Sequence, residues 1–257
     1  MSNSKQKEQP NKKEWYAESL RMTAFLSPSA KVSAQNWWED IVGELPQNEI
    51  SQPKTGVKRY DGLFKDDSTE GALLLTIQPA RIDWQILPLE SGIPEFPRIG
   101  LFTNSSMSFQ DLMLRWLENS PSLQRLAFGA NLWHLAEDYN QLCKRISHYL
   151  SFDLDSNSSD FSYQINRPRE SNSIKESNLK INRLSKWGVS SVFKVEIPSK
   201  TVTQNFVAQA SEIALSLNLD INTMGDFPIN SGSENYKKVF RELIEAGKEI
   251  SEKGDIK

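Results

Sequence analysis

The sequence predicts an α+β fold, a mainly antiparallel sheet with helices packed on one face. Three observations carry that expectation. Ile82, Trp84 and Ile86 alternate with Arg81, Asp83 and Gln85, the pattern of a strand with one buried and one wet face. Phe109, Leu112, Met113 and Trp116 fall at helical spacing. The predicted order, strand, helix, three strands, helix, occurs twice and is followed by a C-terminal helix, so an internal duplication is expected.

Residues 1–14 have no apolar face and read as a flexible tail. The first α+β lobe spans 15–120. It opens with a strand in which Leu20, Met22, Ala24 and Leu26 share one face. Ser33 is placed to cap a helix bearing Trp37, Trp38, Ile41, Val42 and Leu45, stopped by Pro46. Strands at about 55–65, 71–78 and 81–88 follow. Pro88, Pro94 and Pro97 then mark a loop, since each removes a backbone donor. Ser108 and Asp111 offer a capping box for the helix that carries Trp116.

The second lobe, 121–230, repeats the order. A strand is expected from Leu123 to Leu132, and a helix carries Leu135, Tyr139, Leu142, Ile146 and Tyr149. Strands near 161–167, 178–186 and 189–197 precede a helix with Phe206, Val207, Ala210, Ile213, Ala214 and Leu217. The segment 231–257 reads as a C-terminal helix capped by Ser233 and fraying after Gly254. Local matches support the repeat. Ser19-Leu20 with Ala24-Phe25 corresponds to Ser122-Leu123 with Ala127-Phe128, and Trp84 to Trp187, both at an offset of 103 residues.

Composition narrows the classes of function. The 257 residues include seven Trp and twelve Phe, large burial units worth about 1.5–3 kcal/mol each when buried, enough for a real core. Thirty basic and 33 acidic residues nearly cancel, which argues against a general polyanion binder. No apolar run approaches the roughly 20 residues of a membrane span, and the N-terminus shows no secretory pattern. The single cysteine, Cys143, excludes an intrachain disulfide framework. A cytoplasmic protein without membrane contact is the expectation.

Catalytic and metal signatures are sparse, and no cofactor is expected. Cys143, His134 and His148 are too few for a closed zinc site. The run Asp153, Asp155, Asn157, Ser159 echoes a calcium loop. It has Ser158 where that loop needs glycine and Gln164 where it needs the closing glutamate. There is no phosphate-binding glycine loop and no Gly-x-Ser-x-Gly elbow. Arg81 and Asp83 put one cation and one carboxylate on a strand face, a candidate motif-less active site, and an exposed or cross-strand ion pair accounts for the same residues.

The remaining signal lies in 163–194. Arg167, Arg169, Lys175, Lys180, Arg183, Lys186 and Lys194 are opposed only by Glu170 and Glu176, and Arg183 and Lys186 flank Trp187 near Tyr163. Interleaved cations and aromatics can neutralise phosphates and stack bases, so Arg167, Arg169, Lys180, Arg183, Lys186 and Trp187 form a candidate nucleic-acid surface. A solvated sheet face with Trp187 in the core accounts for the same residues. A convergent patch also needs a bulge near Leu184 to bring Arg183 to the face of Lys180.

The first functional expectation is therefore a non-enzymatic binding or accessory protein acting through protein–protein contacts, with a protein partner or by self-association. A nucleic-acid-binding module at 163–194 is the alternative, and an enzyme with a site near Arg81 and Asp83 is the second.

Overall fold

A computed structural model describes residues 14–30, 36–90, 95–158, 160–174, 178–194, 209–228 and 231–255. The first half contains β1 (Tyr16–Leu26), α1 (Trp37–Val42), β2 (Asn48–Gln52), β3 (Val57–Lys65), β4 (Glu70–Gln78), β5 (Arg81–Leu87), β6 (Gly100–Leu101) and α2 (Phe102–Glu118). The second contains β7 (Leu123–Ala136), α3 (Tyr139–Tyr149), β8 (Ser162–Asn166), β9 (Arg169–Glu170), β10 (Lys180–Lys194), β11 (Gln209–Met224) and α4 (Ser233–Lys253). The fold is α+β, as the alternation and the helical stripes require.

All the strands join one antiparallel sheet in the order β2-β3-β4-β5-β1-β7-β11-β10-β8, with β6 beside β1 and β9 beside β10. The two halves meet where β1 pairs with β7. There Leu20 opposes Ala130, Met22 opposes Phe128 and Ala24 opposes Leu126. These side chains, with Ile82, Trp84, Ile86, Leu217, Leu219 and Ile221 from the flanking strands, are buried in one core against α2, α3 and α4. The helices share that face. Arg21, Thr23 and Phe25 alternate onto the opposite one, where a smaller cluster of Tyr16, Phe96, Trp133, Leu135 and Ala214 closes one end.

Several expectations are corrected. The helix expected at 206–217 is instead strand β11, from Gln209 on. Its apolar positions fit a helix only up to Leu217, whereas Leu215, Leu217, Leu219 and Ile221 bury every second residue. The strands expected at 178–186 and 189–197 are one strand, β10, that runs through Gly188 in unbroken register with β11 up to Val192. That register leaves no bulge near Leu184. β2 was not expected at all, because its five residues are all exposed and carry no apolar alternation.

Helix boundaries shift too. α2 starts at Phe102, directly after β6, so Ser108 lies mid-helix and forms no capping box. Ser233 is the first residue of α4, whose N-cap is Gly232. His134 and Leu135 belong to β7, not to the following helix. The Ser33 cap and residues 1–13 lie outside the described residues. α4 is no appendage, since it packs on β7, β10, β11 and α2 and so closes the second half as α2 closes the first.

The offset of 103 does not mark equivalent positions. It pairs Met22, on the helix-covered face, with Arg125, on the other, and Trp84 on β5 with Trp187 on β10. Both tryptophans are fully buried, but on strands of different rank in their halves.

Candidate protein-binding site

The basic stretch is divided between two surfaces. On β10, Arg183 and Trp187 face the helices, while Lys180 and Lys186 are exposed. Arg183 Nη2 donates to Glu249 Oε2 of α4 at 3.0 Å, and Arg169 Nη1 donates to the same oxygen at 3.1 Å. Arg167 grips Asp255, just beyond α4, through Nε and through Nη2 at 2.9 Å, and the Tyr163 hydroxyl donates to that carboxylate at 2.7 Å. Trp187 stacks on Tyr149, with ring centres 5.4 Å apart. Thus Arg167, Arg169 and Arg183 hold α4 and its end against the sheet, Trp187 packs on α3, and Lys180 and Lys186 stand on the far side. Lys175 and the side chain of Lys194 lie outside the described residues.

Arg81 and Asp83 form a closed pair on the helix-free face. Asp83 is 5% exposed and accepts from Thr23 Oγ1 at 2.6 Å and from Arg81 Nη2 at 2.8 Å, both at Oδ1. Its Oδ2 lies 2.7 Å from Arg81 Nε. Both carboxylate oxygens are engaged, which leaves poor means of taking a proton from a substrate. Burial pushes the Cys143 thiol up, so it stays protonated and inert. Asp155 Oδ1 accepts from the Asn157 backbone N–H at 2.9 Å, the turn of a polar loop. No cluster of three metal-ligating side chains occurs among the described residues.

What the linear reading missed lies at the β2 end of the sheet. α1 is short because Gly43 ends it, the Gly43 N–H returning to the Glu39 carbonyl at 2.8 Å. Its two tryptophans fix it to the core. Trp37 meets Trp116 edge-on at 5.7 Å, and Trp38 stacks on Trp84 at 6.1 Å. Gly62 permits this approach, because a Cβ there would sit 2.9 Å from Trp38 Cζ2. The chain then turns at Pro46 into the β2–β3 hairpin. Between α1, the hairpin and the β4–β5 turn lies a cavity of about 790 Å³, within the range of sites that bind small ligands or side chains.

Trp38, Tyr60 and Ile77 give this cavity apolar walls, with Glu39, Glu49 and Lys58 around them and Leu45 and Pro46 at the lip. Burial, then the charge of Glu49 and the hydrogen bond its carboxylate accepts from the phenol, pushes the Tyr60 pKa up. Tyr60 is therefore a neutral donor at physiological pH. Beside the cavity, β2 ends the sheet, with no strand on its outer side among the described residues. Leu45 and Ile50 are 75% and 50% exposed, large apolar side chains open to solvent around this edge.

No protein-family model matches the chain, and neither does any curated protein or solved structure. No helix among the described residues is long and apolar enough to cross a membrane.

Proposed function

We propose that this is a non-enzymatic binding or accessory protein that works through protein–protein contacts, and that the β2 end of the sheet is its contact site. The observation that carries the reading is the cavity opening beside an unpaired edge strand. An exposed edge pairs readily with an extended chain, and a neighbouring pocket adds side-chain selectivity. The partner is another protein or a second copy of this chain. Placing a photo-crosslinking amino acid at Ile50 in the native host is expected to give one discrete adduct, while the same group at exposed Met224 on β11 gives none. Equal or absent labelling from the two positions would count against the proposal.

The same reading takes the chain as an internal duplication. With the edge strand β2 and the two-residue strands β6 and β9 left aside, each half places, counting outward from the centre, its first strand, then its last, third and second: β1, β5, β4, β3 and β7, β11, β10, β8. The patterns Leu20-x-Met22-x-Ala24-x-Leu26 and Leu126-x-Phe128-x-Ala130-x-Leu132 then correspond, with Met22 opposite Phe128 on a two-fold axis. Under that symmetry Tyr60, on the cavity wall, corresponds to Arg167. In the second half that position is covered by the end of α4, through Asp255. In the first half α2 turns directly into β7 and leaves the counterpart open. A crystal structure whose halves superpose with β3 on β8, β4 on β10 and β5 on β11 is expected. A best superposition that pairs these strands otherwise would contradict the duplication.

A further inference from the structure

We infer that the cavity takes a basic side chain, Arg or Lys, from an extended partner segment laid along β2. The inference rests on the docking reading above and names the chemistry of the segment. Side chains of β2 alternate, and Glu49 lines the cavity. A strand paired with β2 therefore presents every second side chain over the cavity mouth. β2 has five residues, so about five residues of partner are engaged.

Charge selects the side chain. From Asn36 to Pro53 the chain carries Glu39, Asp40, Glu44 and Glu49 and no Lys or Arg. All four carboxylates are exposed, on α1, the lip and the edge strand. Lys58 is the only cationic residue on the cavity lining among the described residues. The two lining carboxylates share the cavity with the rings of Trp38 and Tyr60. An aliphatic shaft packs on such rings and a terminal cation is attracted both to them and to the carboxylates. An acidic segment would meet the two lining carboxylates with Lys58 as the lining cation, Lys54 and Arg59 standing elsewhere on the hairpin, and an apolar one would leave the carboxylates unanswered.

The test uses the full chain, labelled with ¹⁵N, and four capped heptapeptides of alternating Thr and Val whose central residue is Arg, Lys, norleucine or Glu. The Arg and Lys peptides are expected to shift the amide signals of Glu49, Ile50, Ser51 and Tyr60. The norleucine peptide should bind about tenfold more weakly, and the Glu peptide more weakly still. The double variant Glu39→Gln/Glu49→Gln should weaken the Arg peptide about fivefold or more, whereas Lys58→Gln should tighten it. Norleucine binding as well as Arg at the same amides would overturn the basic preference and leave the docking site standing. If none of the four peptides moves those amides, the inference fails as a whole, and the crosslink from Ile50 judges the docking reading separately.

Discussion

Gly254 and Asp255 show how much one position can hold. Gly254 follows α4 with φ +80°, a left-handed conformation, and a Cβ there would collide with the Tyr149 backbone carbonyl. This close approach lets the Asp255 N–H donate to that same carbonyl at 2.9 Å and turns its side chain, 3% exposed, onto Arg167 and Tyr163. Gly254→Ala is therefore expected to cost about 2 kcal/mol or more in a urea titration, from backbone strain plus the lost latch. An unchanged midpoint would mean that the end of α4 does not hold the second half. The fraying expected after Gly254 does not begin there. Sequence reading sees a C-terminal glycine but not the carbonyl it approaches from 105 residues earlier in the chain.

Glu242 is a second such residue, and its contribution depends on pH. Burial by itself would push its carboxyl up. The N–H groups of Asn172 and Ser173 and the Ser171 hydroxyl, at 2.8, 3.1 and 2.7 Å, outweigh that and hold it below the ordinary value of 4.5. A carboxyl whose folded pKa is depressed contributes stability that is full above its unfolded pKa and is lost as pH falls through the folded one. Unfolding free energy measured from pH 7 down to pH 3 should therefore fall less steeply in Glu242→Gln than in the wild type. Parallel curves would remove Glu242 from the acid limb.

At the scale of elements, the contact between β10 and α4 explains why the basic stretch looked like a binding surface. Read along the chain, Arg167, Arg169 and Arg183 outnumber the acids near them, Glu170 and Glu176. Their partners, Glu249 and Asp255, lie more than 60 residues later, on an element whose placement no local pattern states. Arg183 has a side chain only 11% exposed, and burial and then the Arg169 charge lower its pKa, so it depends on Glu249. Glu249→Gln should cost about 2 kcal/mol of stability, because two guanidinium groups lose a charged acceptor. Lys186→Gln, on the exposed face, should stay within about 0.5 kcal/mol. Equal effects in thermal melts would show that the basic residues do not hold α4.

Legibility of the other elements follows the same physics. β1, β5 and α2 were readable because each pairs a mainly apolar face with a more polar one. β11 was misread because Ile213, Ala214 and Leu217 satisfy a helical stripe as well as a strand, and only the run to Ile221 separates the two periods. β2 had no signal, since an edge strand with both faces wet has nothing to alternate.

At the scale of the whole molecule, the fold class and the single helix-covered face were visible in the alternation of buried residues, whereas the candidate site was not. Its lining comes from α1, the hairpin and the β4–β5 turn, spread over residues 30–79, and its residue types are ordinary for a surface. What distinguishes it is position. The sheet is closed at its centre by α2 and α4 and covered at its β8 side by the end of α4, so its β2 end holds the cavity and the unpaired edge together. The central claim is that a partner docks there. Amide hydrogen exchange, compared between the protein alone and the complex recovered from its native host, tests this most directly. Strong added protection across 44–52 and 56–60, with 214–224 unchanged, is the predicted result. Protection confined to β7, β10 and β11, with β2 exchanging as freely as before, would place the partner on the open sheet face and contradict the account.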